Sequence, residues 1–242
     1  MTKNVLITGV SKGIGKQIAI GVKAEGYNVF LTSRNEALLQ ELAKEISAAD
    51  YGVCDLSSQK DLEKLSAFIE KNSIDILINN AGEYIYGEIE KMDYEQISRI
   101  FATNLMAPAT LCASVVPNMK AKKWGRIVNI GSISGVMGEA NASLYSSSKS
   151  GLIGLTKALA LELAECEITV NTINPGWVET ELGLKSIEES EFSLSETLET
   201  IPQKRFVHPD EITGLISYLI SDKAKGVTGQ SINLCAGLSV GI

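Results

Sequence analysis

The chain of 242 residues has a single histidine, His208, and four cysteines that never approach a Cys-x-x-Cys spacing. Cys54, Cys112, Cys166 and Cys235 lie far apart, which suggests neither a zinc site nor a disulfide framework and makes a reducing cytoplasm the expected location. His208 precedes Pro209 and Asp210, a helix-start pattern, and reads as an ordinary loop residue. No apolar run looks long enough to span a bilayer, and no charged-then-apolar leader precedes the first strand-like run. Repeats, low-complexity stretches and Pro/Gly-rich linkers are lacking, so a single domain over 1–242 is expected. Positive charge is also short: 22 Lys and Arg face 29 Asp and Glu, a formal net charge of −7. That balance argues against nucleic acid or an anionic membrane surface as the main partner.

What is present is a regular alternation. Strand-like apolar runs occur at 4–8, 27–32, 51–54, 74–79, 125–131, 168–174 and 230–234, with helical periodicity near 13–25, 35–48, 58–72, 93–121, 145–165 and 209–221. Alternation of this kind implies right-handed crossovers and an α/β fold with a parallel sheet covered on both faces. A 45% hydrophobic content can fill the core such a fold needs.

The first strand, Val5-Leu6-Ile7-Thr8, runs into Gly9-Val10-Ser11-Lys12-Gly13-Ile14-Gly15 and then a helix. Glycines there let the backbone turn tightly against a pyrophosphate, which the free N–H groups and dipole of the helix start can bind. The spacing is a variant of the common dinucleotide fingerprint. A P-loop is excluded because Gln17 stands where a magnesium-binding Ser or Thr is required. A hydrolase nucleophile elbow at Ser11 is set aside because the one histidine is His208 and no oxyanion-hole motif precedes the turn.

A second pattern is Tyr145-Ser146-Ser147-Ser148-Lys149. On a helix, positions i and i+4 share a face, so the Lys149 ammonium should lie near the Tyr145 ring and lower the phenol pKa toward the range of a general acid. Ser132, 13 residues before Tyr145, ends an apolar run, with Ser134 as a competing choice.

Thr8 to Gly15, Asn79-Asn80-Ala81-Gly82, Asn104, Ser132 and Tyr145 with Lys149, in that order, resemble the short-chain dehydrogenase/reductase family over essentially the full length. The resemblance implies a single-domain, Rossmann-type, doubly wound parallel sheet of about seven strands with helices on both faces. It implies a catalytic set of Asn104, Ser132, Tyr145 and Lys149, in which Tyr145 donates a proton to the developing alkoxide and Ser132 hydrogen-bonds the same oxygen. Lys149 would hold the nicotinamide ribose, and Asn104, which resembles the family's helix-bending asparagine, would anchor a water in a proton relay. Cofactor contacts are implied at Gly9, Ser11, Lys12, Gly13, Ile14 and Gly15, at Ser33 and Arg34, and at Asp55 and Leu56. Others are implied at Asn80, Ala81 and Gly82, at Tyr145 and Lys149, and at Pro175, Gly176, Val178 and Thr180. No metal is expected. Ser33 and Arg34 replace the acid that would accept a ribose 2′-hydroxyl, and Lys12 adds a second cation, so NADPH is favoured over NADH.

The segments 125–132, 171–180 and 227–230 look most like 3-oxoacyl-(acyl-carrier-protein) reductases. Lys120, Lys122 and Lys123 match one place where such enzymes dock an acidic carrier protein, but Cys166, between Glu165 and Glu167, stands where a second basic residue is expected. A carbonyl of secondary metabolism or a sugar derivative is therefore a competing substrate class, and a non-catalytic dinucleotide sensor or scaffold is a third reading. The family also implies a mobile lid at 181–203, otherwise a surface insertion. The helix Gly151 to Leu163 is apolar on more than one face, which with the resemblance favours a homotetramer, a dimer remaining open.

Overall fold

In a computed structural model, residues 2–181, 183, 187 and 193–240 are described. Their strands form one parallel sheet in the order β3-β2-β1-β4-β5-β6-β7. These are β1 (Asn4–Thr8), β2 (Asn28–Ser33), β3 (Asp50–Val53), β4 (Ile76–Asn79), β5 (Gly125–Ile130), β6 (Ile168–Pro175) and β7 (Ser231–Leu234). Each expected strand is present, with ends within two residues of the reading from sequence.

Alternate residues of the strands feed two separate cores, as the period of two in a strand dictates. Val5 and Ile7 of β1, Val29 and Leu31 of β2 and Ile76 and Ile78 of β4 face α1 (Gly13–Ala24) and α2 (Glu36–Glu45). Leu6, Phe30 and Leu77, the residues between them, face α3 (Gln59–Asn72). The register holds this alternation across strands, pairing Val5 with Val29 on one side and with Ile76 on the other.

The strand order reverses between β1 and β4, since the chain runs outward through β2 and β3 and then returns across β1. Open parallel sheets carry their ligands in the crevice beyond the carboxyl ends of the strands at such a switch point.

The helix expected at 93–121 is three pieces: α4 (Tyr94–Phe101), a π-helical turn (Ala102–Met106) and α5 (Ala107–Lys122). Contrary to the expectation from sequence, the run Tyr94–Lys122 is long and apolar enough, by length and composition alone, to cross a bilayer. Its apolar residues Leu111, Cys112, Val115 and Met119 are buried with Leu62, Leu65 and Ile69 of α3, which accounts for its character. Beyond β5 come α6 (Ser134–Met137) and α7 (Ser143–Leu163), and later α8 (Leu194–Thr200) and α9 (Pro209–Ile220). His208 caps α9 in a reciprocal capping box with Glu211, in keeping with its reading as a helix-start residue. Much of the segment expected as a lid, 181–203, lies outside the described residues; within it α8 starts at a capping box of Ser193 and Glu196.

Candidate active site

The glycine turn leaves β1 at the switch point and enters α1. Gly9 has a φ of +71°, and a Cβ there would lie 2.7 Å from the Ala81 Cα; a Cβ on Gly15 would lie 2.2 Å from the Gly9 carbonyl oxygen. The turn closes this tightly because only glycine fits. Asn80 braces it, its Nδ2 donating to the carbonyls of Thr8 at 2.9 Å and Gly9 at 3.0 Å. Lys12 sits at the N-cap of α1 without a side-chain capping bond, so the first-turn N–H groups can serve an anion.

A cleft of about 670 Å³ opens over this turn. Gly9, Ser11, Lys12, Gly13, Ile14 and Gly15 line its floor, Ser33 and Arg34 one end, and Asp55 and Leu56 the side. Asn80, Ala81, Gly82 and Thr180 complete the expected residues that reach it. Tyr145, Lys149, Pro175, Gly176 and Val178 stand outside this lining: the Gly176 N–H donates to Leu234 of β7, and Val178 is buried and paired with Val207. The cradle that a Cβ would fill, the helix start without a side-chain cap and the volume of the cleft together fit a dinucleotide. On this geometry Gly9, Gly13 and Gly15 would hold its pyrophosphate, and the group would supply a hydride.

The cations expected to select a 2′-phosphate are already engaged. Arg34 Nη1 donates to Glu83 at 2.6 Å, and Arg99 grips the same carboxylate through Nε and Nη2, both at 2.9 Å. Lys12 pairs with Glu181 at 3.1 Å, both side chains largely exposed. Glu83 lines the cleft immediately after Gly82, and reading the sequence for cations alone passed over it. Burial pushes the Asp55 carboxyl up, but hydrogen bonds from Ser57 and the charges of Arg34 and Arg99 outweigh it and hold the group below its ordinary range.

The four catalytic candidates converge beside this cleft. Asn104 sits in the π-turn and is 1% exposed, so it is no surface residue. Its Oδ1 accepts from the Glu83 N–H at 2.8 Å, while Nδ2 donates to the Glu83 carbonyl at 2.9 Å and to Ser148 Oγ at 3.1 Å. Lys149 is buried, with Nζ donating to the Ile130 carbonyl at 2.8 Å and resting against Gly82. Ser132 ends the loop after β5, its hydroxyl facing Tyr145.

The protonation balance differs from the one expected. Burial pushes the Tyr145 hydroxyl up to about 12; a hydrogen bond with Ser132 opposes this and the Glu139 charge adds to it. Lys149 does not counter the shift: its Nζ is 5.7 Å from the ring centroid, and burial alone lowers it to about 8. The helical spacing placed the two side chains on one face, but the ammonium is turned toward β5 rather than toward the phenol oxygen.

Beneath the site a buried polar ladder ties α7 to the sheet. Asn79 of β4 donates to Asn129 of β5 at 2.8 Å, Asn129 donates to Thr156 of α7 at 2.8 Å, and Thr156 meets Thr172 of β6 at 2.6 Å. Buried hydrogen bonds of this kind fix the rotation of α7, and with it the placement of Tyr145 and Lys149.

Residues 3–191 match the short chain dehydrogenase family. The chain belongs to that family. It is 37% identical over 239 residues to the 3-oxoacyl-[acyl-carrier-protein] reductase FabG of Buchnera aphidicola subsp. Schizaphis graminum, covering 98% of this chain and 97% of the relative. A crystal structure of a variant of actinorhodin polyketide ketoreductase with NADPH superimposes with a TM-score of 0.93 at 36% identity, covering 99% of this chain and 98% of that one. YwfH, an NADPH-dependent reductase involved in bacilysin biosynthesis, superimposes with a TM-score of 0.94 at 26% identity over 100% of both chains. The family assignment makes the chain an oxidoreductase acting between ketone and alcohol, with the Rossmann-type sheet its relatives share.

Proposed function

We propose that this short-chain dehydrogenase reduces a ketone to a secondary alcohol with NADPH, a 3-oxoacyl thioester foremost. The observation that carries the reading is the convergence of Ser132, Tyr145, Lys149 and Asn104 beside a cleft whose glycine floor admits no side chain. When bound, the dinucleotide supplies a hydride to the carbonyl carbon. Tyr145 donates its proton to the oxygen that gains the charge, and Ser132 holds the Tyr145 hydroxyl in place. Lys149, anchored on Ile130 and lying against Gly82, would hold the ribose of a bound cofactor. Asn104 fixes the backbone of Glu83, which lines the cleft.

The FabG relative and the ketoreductase support a 3-oxoacyl substrate. A small carbonyl of secondary metabolism is the second reading, and the surface favours it at one point. Lys122, one of the three lysines at the expected docking place of an acidic carrier protein, is committed to Asp75 at 2.6 Å, and Cys166 lies between two glutamates. Consumption of NADPH with a short 3-oxoacyl thioester, beside NADH and beside Tyr145→Phe, tests the reading. Turnover lost in the variant with NADPH still bound supports it; equal turnover in the variant defeats it.

Assembly as a homotetramer through α7 belongs to the same proposal. Leu161 on α7 is 83% exposed, and Tyr94 and Met106 on the neighbouring helical run are exposed as well. Apolar side chains standing in solvent on two neighbouring elements are what a second copy would cover.

A further inference from the structure

Glu139 follows α6 at the turn into α7 and is half-buried. It has no part in the mechanism above, yet both of its carboxylate oxygens are committed to the site. Tyr84 donates its hydroxyl to Oε1 at 2.7 Å, and Ser134 donates to Oε2 at 2.6 Å. The Tyr84 ring in turn meets the Tyr145 ring edge-on at 5.0 Å.

A carboxylate can only accept, so the direction of the chain is set from this end. The Ser134 hydroxyl is spent on Glu139, leaving Ser134 Oγ to accept from the Ser132 hydroxyl at 3.2 Å. Ser132 Oγ itself accepts from the Ser134 N–H at 3.1 Å. Ser132 has one proton, and while it is given to Ser134 the hydrogen bond that would favour a Tyr145 phenolate is withheld. Tyr145 then keeps its own proton for an incoming carbonyl oxygen.

We propose that Glu139 is a positioning residue for the proton donor: through Ser134 it orients the Ser132 hydroxyl, and its negative charge keeps the proton on Tyr145, suiting the site to reduction. This rests on the proposed ketone reduction. The titratable groups around Tyr145 are Lys149 on its own helix, Tyr84 from the segment after β4, and Glu139 from the turn after α6. Burial and the bond to Glu139 push the Tyr84 hydroxyl well up, so it stays a neutral donor and Glu139 is the negative charge of the three. A like charge beside a phenol disfavours the phenolate, which is the direction seen at Tyr145.

The test compares Glu139→Gln and Glu139→Ala, which remove the charge, with Glu139→Asp, which keeps it. Thermal melts and NADPH titration establish that each variant folds. The first readout is the alkaline limb of NADPH-dependent reduction, where Tyr145 loses its proton. The second needs no substrate: tyrosinate absorbance against pH with NADP+ bound, each protein minus its Tyr145→Phe counterpart. Loss of the charge is expected to move both midpoints down by about one pH unit, with Asp staying near wild type. Midpoints unmoved in Gln and Ala, or moved as far in Asp as in Gln, overturn the proposal. Should the wild type turn over no carbonyl, the ketone reading fails, while the absorbance midpoints still decide the role of Glu139.

Discussion

The Asn104 side chain holds both backbone groups of Glu83, accepting from its N–H at 2.8 Å and donating to its carbonyl at 2.9 Å. A residue proposed for catalysis is thus also a clamp on the loop that leaves β4. Asn104→Ala would remove the partners of two half-buried Glu83 backbone groups and a donor to Ser148 Oγ, which still donates to the Tyr145 carbonyl, at about 1 kcal/mol for each bond lost. We expect a loss of about 2–4 kcal/mol in urea unfolding, together with loss of reductase activity. Stability unchanged in Asn104→Ala would show that the clamp is not needed.

Glu83 accepts from Arg34 and Arg99 together, so neutralising it leaves two guanidinium groups beside the cleft. Arg34 then has no carboxylate competing with a 2′-phosphate. For Glu83→Gln the preference for NADPH over NADH should rise by roughly two- to fivefold, the range that exposed ion pairs are worth. Fluorescence titration of the two reduced cofactors measures it, and a preference that stays level or falls counts against competition at Arg34.

Lys149 carries a charge at a buried position, and burial lowers its pKa from 10.5 to about 8. Between those two values the unfolded chain binds more protons than the folded one, so stability rises with pH through that window. Below pH 8 both states are protonated and the full burial penalty applies. Lys149→Met should therefore be the more stable protein at neutral pH, by about 1–3 kcal/mol, while losing activity. The gap between the two should narrow as pH is raised from about 8 toward 10.5, which denaturant melts at several pH values would reveal.

Gly15→Ala places a methyl carbon 2.2 Å from the Gly9 carbonyl oxygen, a backbone atom that cannot swing aside. NADPH binding should weaken by at least about tenfold, the factor that accompanies a loss of 1.4 kcal/mol. Undiminished affinity in isothermal titration would remove the turn from the cofactor site.

Leu161→Glu replaces an 83% exposed leucine with a charge. If α7 pairs copies of the chain, light scattering should report a smaller assembly for the variant and an unchanged melting profile for the isolated subunit. An unchanged mass places assembly on another surface.

Strand positions were legible because β-branched and apolar runs are bounded by turn residues, and the core alternation of Val5, Leu6 and Ile7 follows from the strand period. The glycine turn and the Tyr145–Lys149 pair were legible from spacing. Side-chain direction was not. Lys149 is on the face of Tyr145 as its i+4 position requires, but which way the ammonium turns depends on the Ile130 carbonyl of a strand far away in sequence. Glu83 and Glu139 were passed over for a similar reason. Each is a lone acid in a loop, and its partners Arg34, Arg99 and Tyr84 are brought to it by tertiary folding. Helical propensity gave no sign of the π-turn at Ala102 to Met106; only the resemblance, through a helix-bending Asn104, pointed to an irregularity there.

That π-turn makes the site sensitive to counting. A regular α-helix advances about 100° per residue, and a π-turn accommodates one residue beyond that winding. Removing one residue from Ala102–Met106 would restore unbroken winding, but everything after it would either swing by about 100° or drop one position in register. Leu111, Cys112, Val115 and Met119 could then face α3 as they do now only if Asn104 left Glu83, and Asn104 could stay only if that apolar stripe rotated toward solvent. A single codon of length in this stretch therefore separates a folded reductase with its clamp from a helix that serves the core alone.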